Sequence, residues 1–227
     1  MNLKDWSDET LVALSERRGR RYRLRFEQVA DPLKYLLVPA VEIKESCDVA
    51  ASLKVRFGVQ FGLFGGLFRG KSVLTGPHTQ RLDSQPVYMA VRSRVESGAS
   101  WEETGIIDRK TERIRRRGVV DGCRSREELE WRYNKLDSII EDVSKHGRLR
   151  AYREVRPNSR KTIANEILVS IGAKGELRLA RGGNHRLAIA KALGVSVPVM
   201  VFARHVDWQQ KREGRSESHW DTQDLKY

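Results

Sequence analysis

The chain has 227 residues, 39% hydrophobic and 32% charged, with a net charge of +13, a size that suits one domain or one domain with a substantial extension. The positive balance favours acidic partners (nucleic acid, nucleotides, phosphorylated molecules or an anionic membrane surface), although a solvated basic surface has the same composition. Two cysteines, Cys47 and Cys123, exclude a disulfide framework and a zinc site, and no run nears the ~18 apolar residues of a membrane span. Reduced thiols and an acidic, amphipathic start without a secretory pattern predict a cytoplasmic protein.

Residues 3–18 predict a helix, with Leu11, Val12 and Leu14 on its apolar face. It runs into residues 17–25, which hold six arginines. That run suits either phosphate contacts or an exposed helix end followed by an edge strand. Residues 32–44 suggest a short strand between loops. Residues 53–68 contain Gly58, Gly62, Gly65 and Gly66 and suggest a glycine-kinked strand or hairpin. The stretch from Gly65 to Ser72 lacks P-loop spacing.

Residues 86–98 read as a helix with Pro86 in its first turn. Ser100-Trp-Glu-Glu103 has the form of a capping box opening another helical turn. Residues 109–117 are a second basic run, helical in character but without an apolar stripe. Ser125-Arg-Glu-Glu128 forms a second capping box and opens a long helix over 126–146. Its apolar face is Leu129, Tyr133, Leu136, Ile139, Ile140 and Val143, and Gly147 stands at its C′ position. Residues 150–165 are polar and basic and read as a loop, and 166–181 as a hairpin.

Residues 175–194 are the most informative stretch. Leu177 and Leu179 alternate with Glu176 and Arg178 as in a strand, followed by Gly182 and Gly183. Asn184 stands where an N-cap belongs, a helix follows through Leu187, Ile189, Ala190 and Leu193, and Gly194 ends it. A second strand covers 197–202. A strand, a glycine turn and a helix start bearing His185 and Arg186 form an anion cradle, because helix-start N–H groups and the positive dipole end face whatever sits in front.

This order resembles the ParB/sulfiredoxin superfamily of phosphate- and nucleotide-binding domains. The resemblance rests on Ile167 to Ile171, Gly175 to Leu179, Gly182-Gly-Asn-His-Arg186, Ala188, Ala190, Leu193-Gly194 and Val197-Pro-Val199. A group of uncharacterised ParB-like proteins is similar over about residues 86–212, through Trp101-Glu-Glu-Thr104, Gly122-Cys-Arg-Ser-Arg126, Leu136-Asp137, Val201-Phe-Ala-Arg-His205 and Trp208-Gln209. That group carries an acidic residue where Gly182 stands, and a carboxylate-bearing segment where this chain has Phe64 to Gly70. Both departures bear against carboxylate-dependent metal or base chemistry. Asn184 occupies the sulfiredoxin cysteine position, so peroxiredoxin reduction is not expected. The resemblance does not extend to the helix-turn-helix domain that follows in ParB proteins.

The resemblance implies an α+β fold, a small mixed sheet with packed helices over 86–212. A helical and strand-containing extension over 1–85 precedes it, and a polar tail over 213–227 has the composition of a disordered end. It implies a nucleotide or other phosphorylated ligand, with ATP, ADP or CTP and Mg²⁺ as candidate cofactors, and leaves phosphoryl transfer and phosphate-ester cleavage open as the reaction of an enzyme built on this turn. Candidate ligand residues are Gly182, Gly183, Asn184, His185, Arg186, Arg124, Arg126, Arg204 and His205, with His185 and Arg186 as catalytic candidates. Arg186 suits bidentate phosphate binding, and His185 suits phosphate donation, acid–base work or an orienting hydrogen bond inside the turn. Asp121 and Cys123 precede the long helix, and Cys123 reads as a buried small residue or a weak nucleophile. The alternative is a non-enzymatic module binding nucleic acid through 17–25 and 109–117. A nuclease ranks below both, for want of a carboxylate cluster.

Overall fold

The computed structural model describes residues 7–10, 12, 13, 16, 35–47, 66–68, 80–159, 162–205 and 208. The arginine run 17–25, most of the glycine-rich stretch 53–68 and the tail 213–227 lie outside the described residues. The fold is α+β, and the chain divides into two compact units: a sheet unit from 1–82, 150–183 and 196–227, and a helical unit from 83–149 and 184–195. Among the described residues no helix is long and apolar enough to cross a membrane.

Among the described residues the sheet unit holds seven strands: β1 (Tyr35–Pro39), β2 (Glu45–Ser46), β3 (Gly66–Phe68), β4 (Gln80–Arg81), β5 (Leu168–Ile171), β6 (Leu177–Arg181) and β7 (Ser196–His205). Their order is β1-β7-β5-β6-β2-β4. β3 pairs with β7 beyond the end of β1, since β1 takes residues 196–200 and β3 takes 203–205 of the same strand. β5 lies centrally, parallel to β7 and antiparallel to β6, and every one of its side chains is buried. This is why Leu168-Val-Ser-Ile171 reads as a nearly continuous apolar run rather than an alternating one. β1 flanks the sheet, and its residues alternate in burial, with Leu36 and Val38 fully buried. Strands from 35–81 thus pair with strands from 168–205 in one sheet.

Residues 150–165, expected to be a loop, contain a short helix α4 (Tyr152–Val155) and a 3-10 turn over Ile163–Asn165. Helix signals are weak there because side chains distant in sequence supply the caps. The carboxylate of Glu166, fully buried, accepts from Tyr152 N at 3.0 Å, Arg153 N at 3.1 Å and the Tyr35 hydroxyl at 3.1 Å. Asp8 accepts from Thr162 N at 2.8 Å and Ile163 N at 3.0 Å. The residues described around Asp8 (8–10, 12, 13 and 16) are helical, as expected.

The helical unit holds α1 (Pro86–Ser97), α2 (Ile106–Arg117), α3 (Arg126–His146) and α5 (Asn184–Ala192). Pro86 opens α1, and Gly98 closes it in the left-handed conformation. The Ser100 box forms: Glu103 N donates to Ser100 Oγ at 3.2 Å, and Ser100 N donates to the Glu103 carboxylate at 2.6 Å. It organises a turn, and α2 starts only after Gly105. At α3, Ser125 Oγ accepts from Glu128 N, while the Glu128 carboxylate reaches past the cap to Arg124 N at 2.7 Å. Leu129, Tyr133, Leu136 and Val143 form the buried face of α3.

The basic run 109–117 does have an apolar stripe, contrary to the sequence reading. Ile106, Ile107, Lys110 and Ile114 are all buried. Two of these residues precede the run, so boundaries drawn by charge hide the stripe.

Glu166→Ala removes a fully buried carboxylate that accepts from two half-buried helix-start N–H groups and a half-buried tyrosine hydroxyl. It is expected to cost about 3 kcal/mol, measured by urea denaturation; a loss under about 1 kcal/mol contradicts this role.

Candidate functional site

The helical unit holds a polar cluster that is buried at Lys110 and Tyr133 and reaches the surface at Asp121. Lys110 sits in the apolar stripe of α2 with 4% of its surface exposed. A buried ammonium needs an anion, and Asp121 supplies it: Lys110 Nζ donates to Asp121 Oδ2. Asp121 comes from a two-residue hairpin in which Val120 N donates to Cys123 O at 3.0 Å and Cys123 N to Val120 O at 2.9 Å. Asp121 and Gly122 have φ of 54° and 84°, the positive values that a type I′ turn requires and that an Asp-Gly pair tolerates. The turn thus aims a carboxylate back at α2.

α3 and α5 complete the cluster. Tyr133 is fully buried, and its hydroxyl lies 3.2 Å from His185 Nε2. Its ring stands edge-on to Trp101 at 5.1 Å and to His185 at 5.4 Å. Asp121 Oδ2 is 3.8 Å from His185 Nε2. Burial, then the charges of Lys110 and Arg132, push His185 down to about 4, with Asp121 opposing them. Burial also lowers Lys110 against the pull of Asp121, and Asp121 itself lies below the usual carboxylate range, held there by Lys110 against the effect of burial. Burial, with Asp121 nearby, raises Tyr133. At neutral pH the cluster is therefore a lysinium–carboxylate pair beside a neutral histidine and a neutral tyrosine.

Of the predicted ligand residues, Gly182 and Gly183 both have positive φ, 69° and 60°. A Cβ on Gly183 would meet Ile167 Cγ1 at 2.3 Å and Ile167 Cα at 3.1 Å, so only glycine fits there. Asn184 is the first helical residue of α5 rather than the residue before it, and its side-chain oxygen accepts from the Tyr88 hydroxyl at 3.3 Å. His185 is turned into the cluster with its side chain 13% exposed. Arg186 is half-buried in the first turn of α5, and that turn holds no acidic residue.

Of the remaining candidates, Arg124 and Arg126 lie in the helical unit, and Arg204 and His205 in the sheet unit. Arg124 is exposed. Arg126 is held by Asp108 and by Glu130, the latter at 2.7 Å. Arg204 and His205 lie in β7, paired with Ile171, Leu67 and Phe68 along the backbone. Cys123 is buried, and burial raises its thiol, so it is a poor thiolate. Among the described residues no group of three His, Cys, Asp or Glu side chains is arranged as metal ligands.

Sequence reasoning missed Lys110, Arg132 and Tyr133 as polar-site residues. Two signals were present: a lysine in register with three isoleucines on α2, and the Asp-Gly dipeptide at 121–122. No protein-family model, curated protein or solved structure matches the chain.

The depressed His185 makes stability depend on acid. The unfolded chain binds a proton near pH 6.5 and the folded chain only near 4, so stability present above pH 6.5 is lost as pH falls through that window. The loss is on the order of 2–3 kcal/mol by pH 4. His185→Gln is expected to flatten this slope in denaturant titrations at pH 4.5, 5.5 and 6.5; an unchanged slope shows that another group carries it.

Proposed function

We propose that the chain is a ParB/sulfiredoxin-like protein that binds a nucleotide or another phosphorylated ligand at the Gly182–Arg186 segment, at the start of α5. One observation carries this reading. The first turn of α5 contains Asn184, His185 and Arg186, contains no acidic residue, and follows two positive-φ glycines. Helix starts normally offset their positive end with Asp or Glu, and here that end is left to an external anion. Arg186 adds a planar guanidinium suited to two phosphate oxygens. The neutral His185 contributes no charge; its role is to hold the turn in place through Tyr133 and Asp121. Any reaction at this segment is phosphoryl transfer or phosphate-ester cleavage, driven by positioning and charge neutralisation.

Calorimetric titration of ATP, ADP and CTP, with and without Mg²⁺, tests the reading. At least one is expected to bind, and Arg186→Ala to weaken it by about tenfold or more. Silence toward all of them in the native protein abandons it.

A second reading is nucleic-acid binding, favoured by α2. Arg109, Arg113 and Arg116 are exposed and follow i, i+4, i+7 spacing on a face of the helix that flanks its buried stripe. Arg116 shares Glu112 with Arg115, at 3.0 and 3.3 Å. Binding through this face predicts a salt slope that falls by about 2–3 when all three arginines become glutamine. DNA and RNA binding that is absent at low ionic strength, or indifferent to the triple change, rejects this second reading.

A further inference from the structure

The sheet unit carries a cavity of about 290 Å³ where β2 and the start of β6 run side by side, with Glu45 opposite Arg178 in the parallel register. Glu42, Lys44, Glu45, Glu176 and Arg178 line it, with Leu177 as a buried apolar wall. The polar lining is held from within. Arg178 has only 12% of its side chain exposed, and its Nη2 lies 3.3 Å from Glu45 Oε2 and 3.9 Å from Glu176 Oε1. The Glu176 side chain lies across Gly172, where a Cβ would collide with it, and accepts from Lys174 N at 2.9 Å. Two carboxylates and a guanidinium are therefore in place before any ligand arrives.

Two features of this lining are unmatched. Arg178 Nη1 is buried with no hydrogen-bond partner, a costly state for a guanidinium N–H. Glu42 is exposed and forms no ion pair among the described residues, so the lining sets three carboxylates against two cations.

We propose that this cavity binds a small hydroxylated amine carrying one positive charge, of the size and chemistry of an amino sugar. One surplus negative charge on the lining selects one positive charge on the ligand. Hydroxyl groups both donate and accept, so neighbouring hydroxyls suit carboxylates and a guanidinium that stand side by side, as Glu45, Glu176 and Arg178 do. The volume lies at the lower limit of ligand sites, about 300 Å³, which fits one sugar ring rather than a nucleotide. The exposed Lys44 bears against ligands of higher positive charge, and the carboxylates bear against phosphorylated ones. The ligand is thus distinct from the one proposed at the start of α5, and either can bind without the other.

Glucosamine, glucose and glucuronate share a ring shape and differ in charge, so NMR titration of each into the full chain tests the site. Protonated glucosamine is expected to bind about tenfold more tightly than glucose, and glucuronate more weakly than either. The amide signals of Gly175 and Leu177 are expected to shift as glucosamine binds. Glu42→Gln removes an exposed carboxylate outside the Arg178 contacts, so the fold is retained. It is expected to cancel the advantage of glucosamine and leave glucose binding unchanged. Silence toward glucosamine overturns the site, as does glucuronate binding equally well. An advantage that survives Glu42→Gln, or shifts that spare Gly175 and Leu177, overturns it too.

Discussion

A lysine buried in an apolar helix face cannot stand alone, and the helical unit is arranged around that constraint. Lys110 lies among Ile106, Ile107 and Ile114, where an uncompensated ammonium would be very costly. Asp121 meets it only because a tight Asp-Gly turn sends the chain back on itself after α2. Once placed there, the same carboxylate also reaches toward His185, and Tyr133 bonds His185 from α3. One ion pair therefore ties α2, the hairpin, α3 and α5 into a single polar core. Burial and the surrounding cations decide the protonation state of that core.

That arrangement changes what the Gly-Gly-Asn-His-Arg segment offers. The histidine of a glycine turn suggests a phosphate ligand or an acid–base group. Here its ring is sandwiched edge-on against Tyr133 and committed to internal partners. The proposed anion contact therefore falls to Arg186 and to a helix start whose first turn holds no acidic residue. Division of labour between adjacent residues follows from helix geometry, since successive side chains point about a quarter-turn apart.

In the sheet unit, long-range carboxylates play a comparable part. Glu166 caps α4 from the far end of a polar segment, and Asp8 caps the 3-10 turn from more than 150 residues away in sequence. Both elements are too short to stand on propensity alone. They exist because a tertiary contact supplies the acceptors that the local sequence lacks.

The sequence by itself determined the elements with local codes. Pro86, Ser125, Gly147 and the glycines at 182–183 set helix ends and turns through backbone conformation and neighbouring hydrogen bonds. The apolar run of β5 and the spacing on α3 set which faces are buried. The structure decided what depends on partners distant in the chain. It pairs β1, β2 and β3 with strands more than 100 residues away, and it places Lys110 beside Asp121 and His185 beside Tyr133. It also turns 150–165 from an expected loop into short helical turns. Hydrophobic periodicity reports which side of an element is buried. It carries no information on which charge will stand opposite, because that is set by packing between elements rather than within them.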